Sequence, residues 1–206
     1  MNSLLSSVLV SLLMLLSVKV ADAFTEKIAT AEDVVLLRRG GYVLYMRHGA
    51  TNTSKPDRVP NVDLNDCSTQ RPLTKEGRKM AADVGRNIKK AGIPVAIVIA
   101  SPLCRARESA VAAFGMEITV DSDLMYTANM TSEEKKPNME ATRRLLSAPV
   151  AMGSNRIIVA HAPNLADLIG YFPKEGTVVI FRPKGKDGFD YIASIPPEYW
   201  HHLLAR

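Results

Sequence analysis

Val95-Ala96-Ile97-Val98-Ile99-Ala100 is a run of six apolar residues with nothing polar among them. A strand with one face in water alternates polar and apolar residues. A strand that does not alternate is covered on both faces, as in parallel sheets flanked by helices. Tyr42-Val43-Leu44-Tyr45-Met46 and Ile157-Ile158-Val159-Ala160 are runs of the same kind. Between the first two stretches lies a helical pattern over roughly 75–91. Thr74 is its N-cap, Met80, Val84, Ile88 and Ala91 recur at helical spacing, and Gly92 ends it. Strand, helix, strand in this order predicts a right-handed parallel crossover and hence an α/β chain.

The remaining elements follow from local signals. Thr30 is an N-cap for a helix through Asp33, Val34, Leu36 and Leu37, stopped by Gly40-Gly41. Residues 51–71 have neither hydrophobic period and read as a polar loop folded over the first strand end. Ser101-Pro102 offers an N-cap and a proline at the first position of a helix that Gly115 closes. Ile118 to Val120 reads as a short strand. Thr131-Ser132-Glu133-Glu134 resembles a capping box, but Pro137 limits it and moves the expected helix to Met139–Leu146. Asn164 is the expected cap of a short helix after the third run. Thr177 to Phe181 and Tyr191 to Ile195 predict two strands, and Glu198 to Leu204 a terminal helix. Nothing marks a repeat, a linker or a second domain.

Leu4 to Val18 is almost wholly apolar and ends in Ala21-Asp22-Ala23. That small-x-small pattern predicts a secretory signal, residues 1–23, cut before Phe24, leaving 24–206 as the mature domain. The alternative is an uncleaved N-terminal anchor, although the run is short for a membrane span. No stable span is expected after cleavage, and the protein is read as exported, periplasmic or secreted. The chain is 47% hydrophobic and 23% charged, which suits one domain with a sizeable core. Its net charge of +5 fits an anionic substrate or an ordinary basic surface, and the oligomeric state is left open. No Lys-Arg run interleaved with aromatics points to nucleic acid. The two cysteines, Cys67 and Cys104, favour one disulfide in an oxidising compartment over two free buried thiols. Closing that loop stabilises the fold by roughly 3–4 kcal/mol in the chain-entropy model. No cysteine-histidine cluster has zinc spacing, so no metal site and no cofactor are expected.

Each of the three apolar stretches runs into reactive groups: Arg47-His48-Gly49, Ser101-Pro102-Leu103-Cys104-Arg105, and His161. Open α/β sheets bind ligands beyond the carboxyl ends of their strands. Arginine binds a phosphate dianion in a fork, and histidine acts as nucleophile or base.

On these residues the chain resembles the histidine phosphatase superfamily, also called phosphoglycerate-mutase-like. The match rests on Arg47-His48-Gly49-x-Thr51, Gln70-Arg71-Pro72-Leu73-Thr74-x-x-Gly77-Arg78, Ser101-Pro102-Leu103-x-Arg105-Ala106-x-x-Ser109-Ala110 and Val159-x-His161. Asp66-Cys67, Cys104 and the segment from Glu175 to Pro183 look like a small exported branch. The resemblance implies a three-layer α/β/α sandwich with a mostly parallel central sheet. It implies that His48 attacks phosphorus and carries a phosphohistidine, while Arg47, Arg105 and His161 surround the equatorial oxygens without a metal. The pattern departs from the family at the proton donor. The Glu-rich motif of many mutase-like members is absent, and the Asp of phytase-like members is Ala162 here. Glu175, Asp57 and Asp66 are the candidates, in that order.

Neighbouring residues have blander readings. Arg107 is expected at the surface or in a salt bridge, and His201 and His202 exposed. Gln70 and Arg71 line the pocket or pack the loop. Thr51 is expected to hydrogen-bond the turn after His48, with Asn52 near it. Asn52-Thr53-Ser54 and Asn129-Met130-Thr131 are sequons, relevant only in a eukaryotic source, and a glycan at Asn52 would crowd the pocket. The reading is a metal-independent phosphomonoesterase acting on a small phosphorylated substrate. A phosphomutase, or a phosphate-binding protein of weak or no turnover, is the alternative.

Overall fold

The computed structural model describes residues 24–115 and 117–205. The expected signal segment lies outside them. Alternation along the strands builds two cores on opposite faces of one sheet. In β1 (Val43–Arg47), Leu44 and Met46 enter one core, and Val43 and Tyr45 the other. Ile157 and Val159 against Ile158 and Ala160 do the same in β4 (Asn155–Ala160). The first core is closed by α1 (Ala31–Arg39), α2 (Lys75–Lys90), α3 (Cys104–Phe114) and α6 (Trp200–Leu204). The second is closed by α4 (Lys136–Ser147) and α5 (Ala162–Ile169). Non-alternating strands therefore mean what they suggest: helices cover both faces, in three layers. A one-residue slip would exchange the two sets of side chains, and each fully buried Ile or Leu represents about 1.5–3 kcal/mol.

β2 (Val95–Ala100), β3 (Thr119–Val120), β5 (Val178–Pro183) and β6 (Phe189–Ile195) complete the sheet in the order β3-β2-β4-β1-β5-β6. β3, β2, β4 and β1 are parallel, and β5 alone runs against the others. The connection from β1 through α2 to β2 is thus parallel but skips a place, because β4 lies between them. That sets β1 and β4 side by side in the middle, with their carboxyl ends adjacent.

Several local readings change. β2 is buried only in its second half, and Ile97 is 42% exposed. The short β3 pairs only with Ile99 and Ala100, so the start of β2 lies at an open edge. Helix α3 begins at Cys104 rather than at Pro102. Its Cys104 N–H donates to Gln70 Oε1 at 2.7 Å, so a loop residue replaces the expected Ser101 cap. Helix α5 begins at Ala162 with His161 at the cap position, and Asn164 lies inside its first turn, donating from Nδ2 to Met125 O. The Thr131–Glu134 box does form, but it closes a turn, and α4 starts after it with Pro137 in its first turn. Proline suits that place because its missing N–H needs no partner there. The terminal helix splits into a 3-10 turn, Pro197–Tyr199, and α6.

Candidate active site

The chain leaves β1 through a turn held by two helices. Gly49 faces Gly77 of α2 so closely that a Cβ on either would overlap the other segment's backbone. Gly49 N–H donates to Ser109 Oγ at 3.0 Å, and Ser109 Oγ donates to Arg105 O at 2.7 Å, both in α3. The family glycines and Ser109 are therefore parts of one clamp on the residue between them. That residue, His48, is 1% exposed. Its Nδ1 lies 2.8 Å from Gly49 O. A carbonyl only accepts, so Nδ1 carries the proton and Nε2 keeps its lone pair. Burial holds the His48 pKa well below its ordinary value, and Arg105, Arg47 and Arg71 add to this against the opposing pull of the Gly49 carbonyl.

His161 follows β4, whose Ala160 is paired with Arg47. Its ring centroid is 5.3 Å from that of His48. Tyr45, from the neighbouring strand, fixes the His161 backbone. The phenol donates to His161 O at 2.7 Å and accepts the His161 N–H at 3.0 Å. Ser101 Oγ lies 2.7 Å from His161 Nε2, which leaves Nδ1 without a partner among the described residues. Burial, then Arg105, holds this imidazole neutral too.

Arg47 and Arg105 each have a carboxylate partner. Arg105, fully buried, donates from Nη1 to Asp57 Oδ1 at 2.9 Å. The same oxygen accepts the Arg71 N–H at 2.8 Å, so Asp57 ties loop 51–71 to α3. Arg47 donates to Pro173 O at 2.7 Å, stands 3.7 Å from Glu175 Oε1 and lies against the Phe172 ring. Thr51 donates to Glu175 Oε1 at 2.8 Å instead of bonding the turn after His48. Gly176 N–H bridges Arg47 O and His48 O, which places Glu175 beside the carboxyl end of β1. Asp66, the third acid candidate, is exposed and turned onto Ser68, where it caps the 3-10 turn Cys67–Thr69. Nothing brings it to the site.

Loop 51–71 is anchored at several points. Cys67 and Cys104 form a disulfide across 37 residues. Gln70 is buried and donates to Asp63 O at 2.8 Å while capping α3, so it packs the loop and does not face the pocket. Arg107, expected at the surface, reaches Leu64 O at 3.1 Å because the loop folds back over α3. His201 and His202 are exposed, with their rings tilted against each other at 3.8 Å between centroids. Asn52 accepts from Ser54 N–H and Oγ at the start of the loop.

Tyr126 has no counterpart in the sequence expectations. It lies between β3 and α4, where no periodicity singles it out. Its ring stands edge-on to His161 at 5.5 Å, with Arg105 at 5.2 Å and Arg71 at 5.9 Å from its centroid. It thus gathers two arginines and a histidine under one aromatic cover. Arg47 Nε, Arg71 Nε, Arg105 Nε and Nη2, and His161 Nδ1 are buried without a hydrogen-bond partner among the described residues. Buried polar atoms are normally paired. The nitrogens of Arg47, Arg105 and His161, on two cations and a neutral imidazole, are suited to receive an anion, and Arg71 stands beside them.

The family model for the histidine phosphatase superfamily (branch 1) matches residues 43–157, more than half of the chain. No curated protein matches the sequence. Among solved structures, a protein from Escherichia coli described as an alpha-ribazole-5'-P phosphatase is similar over 76% of this chain and 97% of its own, at 15% identity and a TM-score of 0.57. The protein histidine phosphatase SixA, complexed with tungstate, is similar over the same shares at 15% identity and a TM-score of 0.52. Phosphoserine phosphatase from Entamoeba histolytica, in complex with 3-phosphoglyceric acid, covers 77% and 98% at 15% identity and a TM-score of 0.50. At these identities the likeness concerns the fold, which agrees with the sheet order and layers described above. With the family model spanning β1 to β4 and both arginine segments, the chain belongs to the histidine phosphatase superfamily.

Proposed function

We propose that the protein is an exported, metal-independent phosphatase that hydrolyses phosphate monoesters through a phosphohistidine on His48. The observation that carries this is the pairing of a neutral His48, its Nε2 lone pair uncommitted, with partnerless buried donors on Arg47, Arg105 and His161. His48 Nε2 forms a bond to phosphorus, and the bond from phosphorus to the ester oxygen breaks. Its electron pair leaves with that oxygen, which takes up a proton. Water then attacks phosphorus, the N–P bond breaks, and its pair returns to Nε2, releasing inorganic phosphate. Arg47, Arg105 and His161 hold the equatorial oxygens through both steps and stabilise the charge that develops there. The three structural neighbours reported above are each described as a phosphatase, which supports this class of reaction.

Glu175 is the proposed proton donor. Both its contacts fall on Oε1, and its side chain is 27% exposed, so it is reachable from the pocket mouth and from solvent. Asp57 is committed to a fully buried arginine and suits a fixed, positioning role. The disulfide supports an oxidising compartment and, with the apolar leader, export.

The test is release of phosphate from an aryl phosphate and an alkyl phosphate between pH 4 and 8, with acid quenching to trap phosphorylated protein. Wild type should turn over both and yield an acid-labile phosphoryl group that His48→Ala lacks. Glu175→Gln should lose most activity toward the alkyl ester, whose leaving group needs the proton, and little toward the aryl ester. Phosphate binding with neither turnover nor labelling would overturn the reading in favour of a binding protein.

A further inference from the structure

Arg47 is compensated by Glu175 and Arg105 by Asp57, whereas no carboxylate among the described residues pairs with the guanidinium of Arg71. Only its backbone is engaged, through the N–H on Asp57. Yet its charge lowers the pKa of His48, His161, Arg47 and Arg105 alike, which places it at the same pocket. It leans on the Tyr126 ring at 5.9 Å, and its Nε is buried without a partner. The residue as a whole is only half-buried, unlike Arg105, so it stands towards the mouth of the pocket.

A transferring phosphoryl group has three equatorial oxygens. Arg47 Nε, Arg105 Nε, Arg105 Nη2 and His161 Nδ1 already offer four donors to them. Arg71 is surplus in donors, and it is the guanidinium here whose charge has no partner. We propose that Arg71 forms a second anion subsite at the rim of the phosphoryl pocket, receiving a carboxylate or second phosphate carried by the alcohol portion of the substrate. The substrate class is then a phosphate monoester whose alcohol bears a further acidic group within reach of the mouth. The Arg71 guanidinium carbon lies over the Tyr126 ring at 5.9 Å, a cation–π contact that keeps the cation at the mouth before the ligand arrives. This inference rests on the phosphatase reading of the same site.

Phosphonates test it without turnover. Binding of ω-carboxyalkylphosphonates and of alkylphosphonates of matched length is measured by calorimetry on the mature protein and on Arg71→Met and Arg71→Lys. For at least one chain length the wild type should bind the carboxylate form about tenfold or more tightly than its match, the scale of a charge-assisted hydrogen bond. Arg71→Met should erase that preference while leaving alkylphosphonate affinity within about threefold, and Arg71→Lys should retain part of it. A wild type that binds each pair equally overturns the subsite. So does an Arg71→Met loss common to both series, which would assign Arg71 to the phosphoryl group itself. If wild type binds no phosphonate at all, the phosphatase reading falls as well, whereas binding without discrimination leaves that reading in place. A near-ultraviolet dichroism spectrum matching wild type confirms that each variant is folded, and Arg71→Lys decides alone if Arg71→Met is not.

Discussion

The two sides of the pocket are built from the same residue types and differ in how they are held. On the β1 side, Arg47 pairs with Glu175 and His48 follows it in the chain, with the arginine side chain 15% and the glutamate 27% exposed. On the α3 and β4 side, Arg105 and His161 are wholly buried, with Asp57 at 9% and Ser101 behind them. The histidines differ in the same sense. His48 spends its proton on a carbonyl and presents a lone pair, whereas His161 meets a hydroxyl at Nε2 and turns Nδ1 towards the pocket. On the proposed function, the first side reacts and lies nearer solvent, and the second stays fixed and dry. A buried donor that need not move loses nothing to reorganisation when charge develops in front of it.

The largest test of this division is to remove each histidine in turn. His48→Ala should lower kcat by about 10⁴-fold or more, as loss of a nucleophile does, and abolish phosphorylated protein in acid-quenched samples. His161→Ala should cost about 10²–10³-fold, the scale of one oxyanion donor, and leave His48 phosphorylation detectable. Equal losses with labelling abolished in both would mean that the sides are not divided in this way.

The arginine partners sharpen the comparison next. Asp57→Asn leaves a fully buried guanidinium uncompensated and should cost about 3–5 kcal/mol of stability in urea unfolding. Glu175→Gln acts on a part-exposed pair at 3.7 Å and should cost at most about 1 kcal/mol. Comparable losses from the two would place the dry side elsewhere.

The β1 side is also the more legible in the sequence. Arg47 and His48 follow directly on an apolar run, so the chain itself says where they emerge. Arg105 and His161 could be placed at strand ends, but what holds them could not. Gln70 caps α3 from 34 residues away, Tyr45 braces His161 across 116, and Asp57 reaches Arg105 across 48. Periodicity records which face of an element is buried and contains nothing about such pairings. Ser101 shows the cost, since Ser-Pro is a sound helix start by local rules. The serine is drawn instead to His161, and Gln70 supplies the cap. Tyr126 left no signal because the stretch around it has only two residues of strand and short 3-10 turns. The fold is clearer, because the sheet's two-sided burial is written directly into runs such as Ile157 to Ala160.

A smaller effect isolates the orientation of His161. If the Ser101 hydroxyl donates to Nε2, the neutral ring must carry its proton on Nδ1, the nitrogen left without a partner among the described residues. Ser101 also accepts the Leu103 N–H at 3.3 Å, which leaves its own proton for the imidazole. Ser101→Ala should therefore reduce kcat about tenfold with little change in KM, the size of one neutral hydrogen bond. Nitrogen-15 shifts of His161 should move towards a mixture of tautomers. Ser101→Thr, which keeps the hydroxyl, should restore both. A rate loss with the tautomer unchanged would reduce Ser101 to a packing residue.

The mildest test is pH, and its sign follows from burial. Both imidazoles have folded pKa values well below the ordinary 6.5, chiefly through desolvation, with the arginines adding to it. Below about pH 6.5 an unfolded histidine takes up a proton that the folded one refuses, so the unfolded state binds more protons and gains on the folded state. Stability should be full above that pH and fall as pH drops, with a limiting slope of about 1.4 kcal/mol per pH unit for each histidine. His48→Gln and His161→Gln should each remove one share of the slope in urea unfolding between pH 7 and pH 5. The two shares need not match. His48 has the Gly49 carbonyl to favour its charged form, whereas His161 faces arginines with its Nδ1 unpaired. The larger share should therefore belong to His161, and a larger share at His48 would mean that the drier environment lies on the β1 side.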